Sequence, residues 1–221
     1  MCGMKPLSRE HIRAHYDELG SQQDSQSYYE DPATDEMILH AAFPEAQALL
    51  ELGCGTGRFA KALLAHHVSP QAEYVGLDLS ATMIALTRTR LSRFAPRAQA
   101  RVSDGLGVEI PSNHYDRVIS NYVFDLLSEQ EIHQTLSEAH RILQSDGLLC
   151  LVSLSKGCSL PSRFVAGFLA VINRIRPSLL GGCRPLNLVD FLAPSHWKIH
   201  YSNHVISFGI SSQILVAVKK G

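Results

Sequence analysis

Hydrophobic positions along this chain switch repeatedly between short apolar runs and stretches with helical spacing. The runs Ala48-Leu49-Leu50, Tyr74 to Leu77, Ala100 to Ser103, Tyr115 to Ser120 and Leu148 to Leu154 read as strands. Between them, helices are expected from Arg58 to His67, from Ala81 to about Phe94 and from Ser128 through Leu143. Alternation of this kind predicts an α/β fold, a mainly parallel sheet covered on both faces. Local signals agree: Ser80 can cap the second helix and Pro96 discourages its continuation, while Ser128 and Glu131 have capping-box spacing. Asp146-Gly147 then turns into the fifth strand.

The tail holds two more strands, His196 to Ile206 and Ser211 to Val218, and their short connection near Gly209 predicts an antiparallel hairpin. Along the first of them, His196, Lys198, His200, Ser202 and His204 should face outward, with Trp197, Ile199, Tyr201 and Val205 inward. Three histidines spaced four apart on a strand span about 26 Å, too far for one metal ion, so no metal site is expected.

Composition narrows the class. With 221 residues, 45% of them hydrophobic, one domain can bury a full core without disulfides. Twenty basic and 21 acidic side chains leave no global field for nucleic acid. The amino terminus lacks a basic segment followed by an apolar one, and no window approaches the ~20 apolar residues of a membrane span, so a soluble cytoplasmic protein is expected. Cys2, Cys54, Cys150, Cys158 and Cys183 form no C-x-x-C pair, which fits a reducing compartment.

The most telling stretch is Glu51-Leu52-Gly53-Cys54-Gly55-Thr56-Gly57, directly after the first strand. Glycines in alternate positions remove Cβ atoms from a strand-to-helix turn, so the backbone can reach positive φ and a ligand can lie against bare amides. Asp78 ends the second strand about 20 residues on, where an acidic side chain can accept both hydroxyls of an adenosine ribose. Gly55, Gly57 and Ala60 also satisfy G-x-G-x-x-A, so an NAD(P)-dependent oxidoreductase competes for this reading. Two features oppose it. Glu51 would repel a pyrophosphate but attract an ammonium group, and Asp104-Gly105, after the third strand, offers an acceptor and a bare amide to an adenine edge.

In these residues, from Leu49 to Ser153, the chain resembles class I S-adenosylmethionine-dependent methyltransferases. The resemblance implies a doubly wound, Rossmann-like sheet of seven strands, mostly parallel with an antiparallel C-terminal strand. It implies S-adenosyl-L-methionine as cofactor, with Gly53, Cys54, Gly55, Thr56 and Gly57 forming the loop along its methionine and ribose. Glu51 would lie near the amino group, Asp78 on the ribose, Leu79 on adenine, Asp104 and Gly105 at the adenine edge, and Asn121 beside the methionine. Cys54 is expected to pack the loop rather than react.

Around the core at 48–155 lie three further segments. In residues 1–47, nine acidic side chains outnumber three basic ones, and His11, His15 and Glu18 share a helical face. Similar methyltransferases fold an amino-terminal helix and an aromatic loop over the cofactor, so Tyr16 or Tyr29 would close the site. The insert at 156–195 carries Lys156, Arg163, Arg174, Arg176 and Arg184, with no acidic residue from Gly147 to Val189. Apolar and cationic together, it suits a greasy acceptor with an anionic group, held by Arg184, or contact between 160–185 and an anionic membrane surface. The hairpin at 196–221 completes the chain.

The expected reaction is in-line transfer of a methyl group to a small, apolar or anionic, lipid-like acceptor. Enzymes of quinone synthesis and phospholipid methylation are similar. A base is needed only if the acceptor keeps its proton; Tyr122 is the favoured helper, ahead of Asp125 and His114. A noncatalytic S-adenosylmethionine-binding module fits the same binding residues, and no oligomeric state is legible.

Overall fold

A computed structural model describes residues 7–105, 107, 109–156 and 183–220. Seven strands form one sheet: β1 (Ala48–Leu52), β2 (Glu73–Asp78), β3 (Ala98–Val102), β4 (Tyr115–Asn121), β5 (Leu143–Leu154), β6 (Trp197–Ser207) and β7 (Ile210–Lys219). Their order is β3-β2-β1-β4-β5-β7-β6, with the first five parallel and β7 antiparallel to both neighbours. The order reverses between β1 and β4, which opens a crevice at the carboxyl ends of those strands.

Among the described residues, five α-helices accompany the sheet: α1 (Arg9–Leu19), α2 (Ser27–His40), α3 (Arg58–His66), α4 (Ala81–Leu91) and α5 (Glu129–Ile142). On one face, Met37 of α2 and Leu63 of α3 pack with Leu49, Tyr74 and Ile119. On the other, Ile132, Leu136 and Ala139 of α5 pack with Leu50, Val118 and Leu149. Alternate residues of one strand therefore feed opposite cores, which is why the strands read as continuous apolar runs. Caps form as the sequence implies: Ser80 Oγ accepts from Met83 N–H at 3.1 Å, and Ser128 and Glu131 close a capping box.

Three details differ from the sequence reading. Tyr28 and Tyr29 lie in the first turn of α2, not in a loop, although Pro32 stands inside that helix. Burial of Ala33, Thr34 and Met37, with the Thr34 hydroxyl bonding the carbonyls of Glu30 and Asp31, outweighs the proline's missing donor. The second helix stops at Leu91 and passes into a 3-10 turn at Ser92–Phe94. In β6, the register shifts between Ile199 and Tyr201, so Ile199, expected inside, is 42% exposed while Trp197 stays buried. A bulged residue inverts the alternation beyond it. The Phe208-Gly209 turn has positive φ at both residues, 50° and 81°, as a tight hairpin requires.

Asp116 and Arg117 knit the lower end of the sheet. Asp116 Oδ2 accepts the Gln47 and Ala48 amides at 2.7 and 3.0 Å, and the buried Arg117 guanidinium donates to the carbonyls of Ala41, Ala42 and Asp116. Arg117→Ala should cost about 3 kcal/mol, because buried acceptors lose charged donors. Urea unfolding will test it: the midpoint should fall with the slope unchanged, and an unchanged midpoint would contradict it.

Candidate functional site

The crevice above β1 and β4 is floored by the glycine turn. Gly53, Gly55 and Gly57 all have positive φ, between 53° and 76°. A Cβ on Gly53 would come within 2.2 Å of Val123 Cγ2, and one on Gly55 within 2.8 Å of Gln23 Oε1. Side chains are excluded here by both space and dihedral. Cys54 packs behind the turn against Gly76, and burial pushes its thiol far above the range of a reactive one. Thr56 lines the cavity beside the turn and donates to Asp24 at 2.6 Å.

Two cavities meet over the turn and share Gln23, Gly53, Gly55, Asn121 and Tyr122. The first, enclosing about 860 Å³ with its open mouth, continues past Asp78, Leu79, Ser103, Asp104 and Gly105 toward Tyr16. The second, about 870 Å³, runs between α2 and the start of α3, past Glu30, Asp31, Asp35 and Arg58.

Electrostatics follow from burial. Glu51 is 1% exposed; it accepts from the Tyr74 hydroxyl at 2.5 Å and from Asn121 Nδ2 at 3.4 Å, yet burial still pushes its carboxyl up to about 7. Asp78 takes the Gly55 and Ser80 amides, each at 2.9 Å, and burial raises its pKa against those two bonds. Each of its oxygens keeps a lone pair for a ligand. Asp104 lines the first cavity with a side chain 83% exposed and 3.6 Å from Arg9. Among the described residues, Gln23 Oε1 and Asn121 Oδ1 are buried without hydrogen-bond partners, both lining the space over the glycine turn. Orphaned acceptors beside a raised carboxyl call for a ligand rich in N–H or O–H donors and positive in charge.

The remaining candidates are placed as follows. Tyr16 lines the first cavity, and burial keeps its phenol protonated. Tyr29 stands edge-on to Tyr122 at 5.6 Å. Tyr122 has φ of 56° and shares a hydrogen bond with Ser212 Oγ at 2.9 Å; burial raises its pKa, so it forms an aromatic wall with a neutral hydroxyl. Asp125 is fully buried, its carboxyl pushed up to about 6. Arg184 turns a guanidinium nitrogen onto the Leu127 carbonyl, and its backbone amide donates to Asp125 O at 2.8 Å. His114, at the far end of β4, is exposed. Arg163, Arg174, Arg176 and most of the 160–185 segment lie outside the described residues.

Sequence reasoning missed Gln23, Arg9 and Asp17. All three come from the amino-terminal segment, where Asp17 accepts from Ser80 Oγ at 2.5 Å and Asp24 pairs with Arg90 at 2.6 Å. Gln23 lies in the polar run Gly20–Gln26, whose composition carries no periodic signal. Among the described residues no helix is long and apolar enough to cross a membrane, and no cluster of three metal-ligating side chains occurs.

Comparison with known proteins fits this geometry. Residues 49–147 match the model of a methyltransferase domain. Over 107 residues the chain is 36% identical to a malonyl-[acyl-carrier protein] O-methyltransferase of Paenibacillus sp., covering 46% of this chain and 36% of that protein. A demethylmenaquinone methyltransferase of Symbiobacterium thermophilum is 27% identical over 131 residues, 58% of this chain and 51% of the relative. The chain thus spans between a third and a half of the length of these relatives. Among solved structures, the geranyl diphosphate C-methyltransferase of Streptomyces coelicolor, in complex with Mg2+, geranyl diphosphate and S-adenosyl-L-homocysteine, aligns with a TM-score of 0.65 at 15% identity, over 86% of this chain and 79% of that one. Glycine turn, carboxylates, sheet order and matched segment converge on one region, and residues 49–147 are similar to a methyltransferase domain.

Proposed function

We propose that this protein transfers a methyl group from S-adenosyl-L-methionine to a small acceptor with an apolar body. The observation that carries the reading is the pair of orphaned buried acceptors, Gln23 Oε1 and Asn121 Oδ1, flanking a glycine floor beside Glu51. An ammonium group supplies the donors and the charge those groups call for. Asp78 takes the ribose hydroxyls, Leu79 packs on adenine, and Asp104 reaches the adenine edge with Gly105 once it turns from Arg9. Arg9–Leu19 and Gly20–Gln26 act as the lid, with Tyr16 and Gln23 closing over the ligand and excluding water.

When bound, the cofactor supplies an already electrophilic methyl group, so the protein's task is alignment and desolvation. Tyr16, Tyr29 and Tyr122 offer an apolar acceptor its walls. An anionic group on that acceptor would rely on Arg184, whose Nε has no hydrogen-bond partner. The relatives named for malonyl-[acyl-carrier protein] and for demethylmenaquinone support small-molecule acceptors of either kind.

Calorimetric titration with S-adenosylhomocysteine and with NADH tests the cofactor assignment; binding of the first alone is expected, and binding of NADH alone would overturn it. Incubation with methyl-labelled S-adenosylmethionine and a metabolite extract should place label in small molecules. Cofactor binding with no label transferred to any extract would favour the noncatalytic module.

A further inference from the structure

We propose that Glu30 is the proton acceptor for the methyl acceptor, and that the acceptor presents a protonated amine to the cavity between α2 and the start of α3. The inference rests on the methyltransferase reading above and names the chemistry of its second cavity. Glu30 lines that cavity together with Asn121, Tyr122 and Gly53, so it faces the same space as the glycine turn. One of its oxygens, Oε2, is paired with Arg58 at 3.0 Å, while its side chain is 13% exposed. The carboxylate is thus fixed through Oε2, and a proton from a ligand would go to Oε1.

The surroundings select for positive charge. Asp31 joins Glu30 on Arg58, so this one guanidinium is matched by two carboxylates. Asp35 and Glu51 face the same cavity. Glu51, Gln23 and Asn121 would serve the cofactor's amino group; Glu30 and Asp35 line the same cavity from α2. A carboxylate or phosphate head entering here would meet like charge, whereas an ammonium is stabilised. Tyr122 and Phe59 add aromatic faces of the kind that hold cations.

Titration of Glu30 is governed by groups from every side. Burial, Asp31 and Asp125 raise its pKa, Arg58 lowers it, and the net value is about 7. Tyr16, Tyr29 and Tyr122, which all feel its charge, stay neutral at that pH. In the proton step one N–H bond of the ammonium breaks and one O–H bond forms on Glu30. The electron pair stays on nitrogen as the lone pair needed for attack.

The test uses protein saturated with S-adenosylhomocysteine and three probes that share a body: phenethylamine, phenethyl alcohol and phenylacetate. Calorimetry at pH 8 should find phenethylamine bound about tenfold more tightly than the alcohol, with phenylacetate weakest. The preference should shrink at pH 6, where Glu30 is protonated. Glu30→Gln should abolish the preference and its pH dependence while leaving S-adenosylhomocysteine affinity within about threefold. Glu30→Asp, which keeps the charge, should retain the preference, and Asp35→Asn should reduce it if Glu30→Gln fails to fold. Equal binding of amine and carboxylate, no binding of any probe at 10 mM, or an amine preference that survives both neutralising variants would overturn the proposal. Failure of S-adenosylhomocysteine to bind the unmodified protein would instead overturn the cofactor assignment.

Discussion

Asp78→Ala should weaken binding of S-adenosylhomocysteine at least tenfold, as read by calorimetry. Two hydrogen bonds from ribose hydroxyls to a carboxylate contribute about 1.5–3 kcal/mol each, and about 1.4 kcal/mol corresponds to a factor of ten. The structure adds a second loss. The same carboxylate holds the Gly55 and Ser80 amides at 2.9 Å, so its removal frees the glycine turn and the entry to α4 together. Asp78→Asn separates the effects, since it keeps the volume but points an NH2 group at one of those donors. Its affinity should fall between Ala and Asp, and unchanged affinity in both variants would rule out the ribose role.

Glu51→Gln should flatten the dependence of stability on pH. A carboxyl whose folded pKa lies above its unfolded value of 4.5 favours folding while it is protonated. That contribution is complete below 4.5 and is lost as pH rises through about 7. From this group alone the protein without cofactor should be about 3 kcal/mol less stable at pH 8 than at pH 4.5, at 1.36 kcal/mol per pH unit. Glu30, also held up at about 7, and Asp125, at about 6, act in the same direction and remain in the variant. Urea unfolding should therefore find Glu51→Gln more stable than the parent at pH 8, with a shallower but still negative slope. Equal slopes would mean that Glu51 is already ionised in the folded protein. On the proposed placement of the cofactor's ammonium beside Glu51, the gain has a counterpart in binding, because the variant loses the attracting charge. The protein therefore holds its binding carboxylate at a cost to folding, a trade typical of functional sites.

The core was legible because its signals are local. A five-residue apolar run, a glycine turn and a capped helix each follow from short stretches, and β1, α3, β2 and α4 fall where those stretches put them. The hairpin was legible in type, but its facing was not: one extra residue near His200 inverts the pattern, and no local signal marks it. The floor of the crevice was visible as glycines and carboxylates. Its roof was not, because Gln23, Asp17 and Arg9 act through contacts spanning many tens of residues, such as Arg9 with Glu131 at 2.9 Å. Arg184 was sought as an anion holder from composition alone; that packing directs one of its nitrogens to a backbone carbonyl was not legible there.

The position of β7 has a bearing on how the chain matures. It lies between β5 and β6, pairing Leu148 with Val218 across 70 residues, and among the described residues β6 has no other neighbour in the sheet. A polypeptide still emerging from the ribosome therefore exposes the unpaired border of β5 until residues 210–219 are released. Until β7 pairs, the open border of β5 is the part of the nascent sheet exposed to wrong partners.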